Sequence, residues 1–356
     1  MSVSSANTHP IAVYRVTRKG QIQMPTITVR VEQQLNPVSD EVSALTAVVR
    51  PILEGVLFSV KQQVINQVGG YDRCTLEMLA RTYRPGDGDC GLCFEYAIHD
   101  ALRRSEASIT ERIHDAMSTI CRVPGNELSS ILFGLEKNGA VKVIDTAMGA
   151  LTDESALMYG TRGRPARLKQ YISYMANAFR QPRARAALPS SISGLWKADL
   201  FLGHIDTDKW VGTTVKINPN DLKGAKGLRI GITPSREGSS DRVRMDETRN
   251  LVICPVPYDH AFMEVFYQAW GIVRLFLAAD ANLPREVALP RPSERQVARY
   301  LADRRSYPVR DVIEALGSLA QPGLLETDPR NTTTSCDTET VTGTIEAPVA
   351  RIVHRP

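Results

Sequence analysis

Cysteine is scarce in this chain and follows no pattern. The six thiols, at Cys74, Cys90, Cys93, Cys121, Cys254 and Cys336 of 356 residues, share no repeating spacing, which excludes a disulfide-stapled scaffold and predicts reduced thiols. One Cys90-Gly91-Leu92-Cys93 pair occurs without a second pair or a close histidine pair, short of the four ligands that a structural zinc needs. No run of 18 apolar residues is present, and the start MSVSSANTHP lacks a basic-then-apolar leader. Membrane-spanning and exported classes are therefore set aside, and the expectation is a cytoplasmic protein. No GxxxxGK[ST] exists anywhere, so ATP hydrolysis is not expected. Large excess charge is missing too: 43 Lys+Arg against 39 Asp+Glu leave a net +4, too mild for a polybasic protein, and local clustering becomes the informative quantity.

What is there reads as an α/β protein with a core. Residues 1–85 form an N-terminal region: a hairpin in IAVYRVTRKGQIQMPTITVRVE turning at Lys19-Gly20, then helical periodicity from an N-cap at Ser39, with Pro51 predicted to break or kink that helix. TLEMLARTYR is a further helix ending at Pro85. Residues 86–321 form the α/β core. In it RPGDGDCGLC is a turn, and FEYAIHDALRR and ITERIHDAMSTICRV are helices. LSSILFGLEKNGAVKVIDT reads as helix giving way at Asn138-Gly139 to strand. KADLFLG, VGTTVKIN, KGLRIGITP and NLVICPVP are near-continuously apolar, as buried strands are. AFMEVFYQAWGIVRLFLAAD carries an apolar helical stripe. Residues 322–356, rich in Thr and Pro, read as a disordered tail.

Three charged residues stand where charge is costly. Asp199 lies in an apolar run; Lys216 lies in Thr213-Thr214-Val215-Lys216-Ile217, sharing one face with Thr214 and Asn218 by strand alternation. Glu95 punctuates the apolar face of its helix. Two strands joined by HIDTDK would place Asp199 and Lys216 near each other. Adding Glu95 gives two hard oxygen ligands for Mg²⁺, or Mn²⁺, with an amine beside them, a set that can lower the pKa of a water and stabilise a pentacovalent phosphorus. Asp206 and Asp208 are alternative ligands from the turn.

The chain here resembles the PD-(D/E)XK nuclease superfamily, in which restriction endonucleases are found. FEYAIHDAL stands for the glutamate-bearing helix, Asp199 in KADLFLG for the aspartate, and Thr214-Val215-Lys216 for the (D/E)XK tripeptide, over about residues 88 to 280. The resemblance implies a restriction-endonuclease-like mixed sheet with an αβββαβ-type core. It also implies Mg²⁺-dependent hydrolysis of DNA phosphodiesters in restriction or anti-phage defence, with Asp199 and Glu95 as metal ligands and Lys216 acting on the water. By analogy it suggests a homodimer, or a partner subunit that gates activity. The chain departs from the pattern at Thr214, where the tripeptide has an acid.

Between Ala156 and Ala198 there is no acidic residue, while Arg162, Arg164, Arg167, Lys169, Arg180, Arg183, Arg185 and Lys197 are basic. Such a stretch suits phosphate contacts on DNA, since Lys and Arg replace condensed counterions. Arg162-Gly163-Arg164-Pro165 is similar to an AT-hook core, and Tyr171, Tyr174 and Phe179 suit either base stacking or core packing. Two other readings compete. LFGLEKNGAVKVID suits a winged helix, making the chain a non-catalytic DNA-binding protein. Gly86-Asp87-Gly88-Asp89-Cys90 is similar to the nucleophile turn of papain-like thiol hydrolases, with Cys90 as nucleophile and His204 or His260 as base beside Asp206 or Asp259.

Overall fold

The computed structural model describes residues 40–84, 90–133, 151–158, 165–180, 198–224, 227–235, 241–258, 262–283 and 289–320. The expected hairpin, the Ser39 cap, the turn from Gly86 to Asp89, the break at Asn138-Gly139, the first three residues of the AT-hook-like tetrapeptide and the tail lie outside these residues. The described residues fall within one compact unit.

Its elements in chain order are helices α1 (Asp40–Ser59), α2 (Gln62–Gln67), α3 (Leu76–Thr82), α4 (Cys90–Arg103) and α5 (Ala107–Asp115), the last passing into a π-helical turn at Ala116–Ile120. Strands β1 (Leu128–Leu132), β2 (Ala156–Leu157) and β3 (Ala166–Arg167) follow, then α6 (Leu168–Arg180). Next come β4 (Leu200–His204), β5 (Lys209–Val215), β6 (Arg229–Pro234), β7 (Arg244–Asp246) and β8 (Leu251–Val256). Helices α7 (Met263–Ala278), α8 (Pro292–Asp303) and α9 (Val309–Leu319) close the described chain.

The molecule is α/β, built on one mixed, open sheet. Its strands run β1-β4-β5-β6-β8-β7, with the short pair β2 and β3 attached to the first part of β5. β4 is antiparallel to β1 and β5, whereas β5, β6 and β8 run parallel. The four apolar runs read as strands are strands, because each can bury nearly every side chain: β6 is buried along its whole length.

Two expectations are corrected. Pro51 does not break α1, which runs through it. A proline inside a helix costs about 3 kcal/mol, but Val49, Ile52, Leu53 and Val56 are fully buried around it, and each contributes about 1.5–3 kcal/mol, so tertiary burial wins. LSSIL is strand β1 and not helix; it pairs antiparallel with β4, from Leu128 opposite His204 to Leu132 opposite Leu200. The helical start of the winged-helix reading is therefore missing at residues 128–132.

The main core joins α1, α3, α4, α5, α7, α8 and α9 to one side of the sheet, while a smaller cluster packs Leu168, Tyr171 and Ile172 of α6 against Phe201 and Trp210. α1 packs against α4, α7, α8 and α9. Long and apolar enough to cross a bilayer by length and composition, it is mostly buried among these helices. Gly55 lets α1 come close to α4: a Cβ there would stand 3.3 Å from Cys93 Cα and from the Tyr96 ring, and Cys93 Sγ donates to the Ile52 carbonyl at 3.7 Å. Those two α4 residues flank Glu95.

Candidate active site

Antiparallel pairing of β4 with β5 puts Leu200 opposite Thr213, so the residue before β4 meets the residue after Thr213. Asp199 is that residue. Its Oδ2 accepts from the Thr214 hydroxyl at 2.9 Å, the Val215 N–H at 3.0 Å and Lys216 Nζ at 2.8 Å. Lys216 follows the end of β5, held by its own N–H donating to the Ile232 carbonyl of β6 at 2.9 Å. From the opposite direction α4 delivers Glu95, whose Oε1 accepts from the same Nζ at 3.1 Å.

The three residues singled out by charge in apolar surroundings thus converge on one nitrogen. Asp199 is 2 % exposed and Glu95 7 %, while the Lys216 side chain is 32 % exposed; the site opens to solvent on the lysine side. Burial opposes the ammonium charge, but Glu95 and Asp199 outweigh it and hold the Lys216 pKa above its ordinary value. Leaving either carboxylate without its cation would be costly, since a buried charge keeps only part of its hydration.

Sequence reasoning missed Arg229, at the start of β6. It is 2 % exposed; burial lowers its pKa and the charge of Asp199 works against that. A buried arginine in an apolar strand, KGLRIGITP, was the available signal. Sequence reasoning also missed that α4 is docked by His99, one turn beyond Glu95, whose Nδ1 is 2.7 Å from Ser130 Oγ on β1. Burial pushes the His99 pKa down to about 4, so the imidazole is neutral at pH 7.

The alternative ligands Asp206 and Asp208 serve the β4–β5 turn and its neighbours. Asp206 accepts from the N–H groups of Asn126 at 2.9 Å and Glu127 at 3.4 Å. Asp208, with φ of 49°, accepts from Ser155 Oγ at 2.7 Å, Trp210 Nε1 at 2.9 Å and Thr152 Oγ1 at 2.5 Å.

Among the described residues no group of three His, Cys, Asp or Glu side chains is placed to hold a metal ion. The donor set suits Mg²⁺ better than zinc: Mg²⁺ is commonly held through one or two carboxylates plus substrate phosphates and waters, not by a complete protein cage. Glu95 and Asp199 are the two carboxylates that could serve in that way, with the neutral Thr214 hydroxyl beside them.

Cys90, read from the sequence as part of a turn, instead opens α4 and is half-buried. His204 is fully buried and stacks edge-on with His114, ring centroids 5.5 Å apart; His260 and Asp259 lie outside the described residues. Of the basic stretch, Arg162, Arg164, Arg183, Arg185 and Lys197 also lie outside, as does the side chain of Arg180. Arg167 and Lys169 are placed, and both meet acids from just before the stretch: Arg167 with Glu154 at 3.2 Å and Lys169 with Asp153 at 2.9 Å. Tyr171 is buried and Tyr174 exposed. No family model, curated protein or solved structure matches this chain.

Proposed function

We propose that this chain is a Mg²⁺-dependent nuclease hydrolysing DNA phosphodiester bonds, in the manner of a restriction or defence endonuclease. The observation that carries the reading is the convergence of Glu95, Asp199 and Lys216 from a helix, the start of one strand and the end of its antiparallel neighbour. The mixed α/β sheet is compatible with it: α4, β1, β4, β5 and β6 come in this chain order, with α5, β2, β3 and α6 lying between them and only the short 3₁₀ turn Pro219–Asp221 between β5 and β6.

Glu95 and Asp199 would hold Mg²⁺, which supplies Lewis-acid polarisation of the phosphate and a lower pKa for an attacking water. Lys216 Nζ directs its protons at the attacking water and at a non-bridging oxygen, countering the charge that grows on phosphorus. The water oxygen bonds to phosphorus as it gives a proton to solvent, the ester P–O bond breaks, and the leaving oxygen takes a proton from solvent. Thr214 and Val215 fix the Asp199 carboxylate, keeping the aspartate oriented while the substrate moves in. The basic residues around Arg167 and Lys169 would contact phosphates flanking the cut.

Incubating the purified protein with supercoiled and linear DNA in Mg²⁺, Mn²⁺ and chelator, beside Lys216→Ala, tests this. Metal-dependent cutting lost in the variant is expected; equal cutting by both sinks the assignment. One observation favours a second reading, a DNA-binding protein with a degenerate nuclease site: the tripeptide acid is Thr214, and the ion pair is complete without metal. Salt-sensitive binding without cutting, unchanged in Lys216→Ala, would be its signature.

A further inference from the structure

Lys216 already supplies a cation to the two carboxylates of the site. The two carboxylates able to ligate a metal share its ammonium, at 2.8 and 3.1 Å. Asp199 Oδ2 also receives Thr214 and Val215, three donors on an oxygen with two lone pairs. Thr214 adds no negative charge, and Arg229 adds a buried positive one within range of Asp199. An incoming metal ion must therefore compete with the ammonium for Asp199 Oδ2 and Glu95 Oε1. The displaced ammonium then needs another anionic oxygen, because a part-buried charge that loses its partner loses much of its stabilisation.

A phosphodiester meets both needs. One non-bridging oxygen can receive the ammonium, and another oxygen can complete the coordination of Mg²⁺, which takes substrate phosphate readily. The exchange runs in one direction only when both arrive: the carboxylates pass from ammonium to metal while the ammonium passes from carboxylates to phosphate. Resting on the nuclease reading, we propose that Lys216 is a resident cation that couples metal and phosphodiester binding, so that neither binds tightly without the other. By linkage the coupling is reciprocal. Thr214 sets its strength, because an acid there would add the charge that lets a metal compete with the ammonium alone.

The test is Mn²⁺ binding to the full chain, read from the electron paramagnetic resonance of free Mn²⁺, with and without a non-hydrolysable phosphorothioate duplex whose own Mn²⁺ uptake is subtracted. The expected result is an affinity about tenfold or more higher with duplex present, lost in Asp199→Asn. Thr214→Asp and, independently, Lys216→Met bind Mn²⁺ without duplex about tenfold more tightly than the parent chain, and duplex then adds little. The same Mn²⁺ affinity with and without duplex, still dependent on Asp199, overturns the coupling and leaves the nuclease reading standing. Absence of Mn²⁺ binding under every condition and in both variants overturns the two together. Circular dichroism confirms that each variant folds; should Lys216→Met fail to, the duplex titration and Thr214→Asp decide.

Discussion

Asp199 and Asp208 belong to the same β-hairpin, one just before β4 and the other in its turn, and each accepts at least three hydrogen bonds, yet they are different kinds of carboxylate. Asp208 takes a hydroxyl from Thr152, a hydroxyl from Ser155 and the indole N–H of Trp210, neutral groups spread over both of its oxygens. Those bonds tie the hairpin turn to the loop before β2. Asp199 takes a hydroxyl, a backbone N–H and an ammonium on one oxygen, and the ammonium is shared with Glu95. Hydrogen-bond number does not separate a carboxylate that holds a fold from one available for chemistry. What separates them is whether a donor is a mobile charge with a second claimant.

Charge removal sharpens the contrast most. Asp199→Asn keeps the shape and is expected to lower single-turnover DNA cleavage in Mg²⁺ by about a hundredfold or more, whereas Asp208→Asn leaves cleavage per folded molecule unchanged. Equal losses in both would erase the distinction.

Asp208 is expected to matter for stability instead of cleavage. Asp208→Ala strands the Trp210 N–H and the Ser155 hydroxyl and should cost about 1–3 kcal/mol in urea unfolding. If the cost is near zero, the turn does not depend on that carboxylate.

Acid reports on the docking of the glutamate helix. His99 has a folded pKa of about 4 against about 6.5 in an unfolded chain, so the unfolded state binds the extra proton between those values. Stability is therefore full above about pH 6.5 and falls as pH drops toward 4, by at most about 1.4 kcal/mol per pH unit. Unfolding midpoints at three pH values, with His99→Gln as the flattened control, measure it; identical slopes would remove His99 from the account. Further into acid, the Asp208 contribution goes too. Burial raises the pKa of that carboxyl, but its three donors outweigh burial and hold it below the ordinary value.

The smallest effect is expected at the exposed pairs. Lys169→Ala and Arg167→Ala remove contacts to Asp153 and Glu154 and should leave the thermal midpoint within about a degree. A drop of several degrees would show that these residues hold the segment before β2 against β3 and α6.

Much of this arrangement was legible because burial and charge conflict visibly in the sequence. Asp199, Lys216 and Glu95 are conspicuous in apolar runs, and the strands around them are apolar enough to leave no other reading. The α/β class followed from them. LSSIL misled because Leu128, Ile131 and Leu132 have helical spacing; only its partner β4, more than sixty residues later, makes it a strand, and local pattern cannot see that pairing. The basic stretch looked unopposed because Asp153 and Glu154 stand just before it, and a loop folds them back. Helices α8 and α9 went unread although Pro292 and Pro308 mark their starts and each carries a marked apolar face.

The close approach at Gly55 bears on where the molecule can be cut. A fragment starting at residue 86 would keep Glu95, Asp199, Lys216 and every described strand. It would nonetheless expose the α4 surface that Ile52 and Gly55 cover, and with it the seating of the glutamate helix against its lysine. The smallest excisable piece that keeps its reactive centre aligned therefore begins no later than Asp40, and anyone dividing this chain for expression or for split-protein reassembly should place the cut elsewhere.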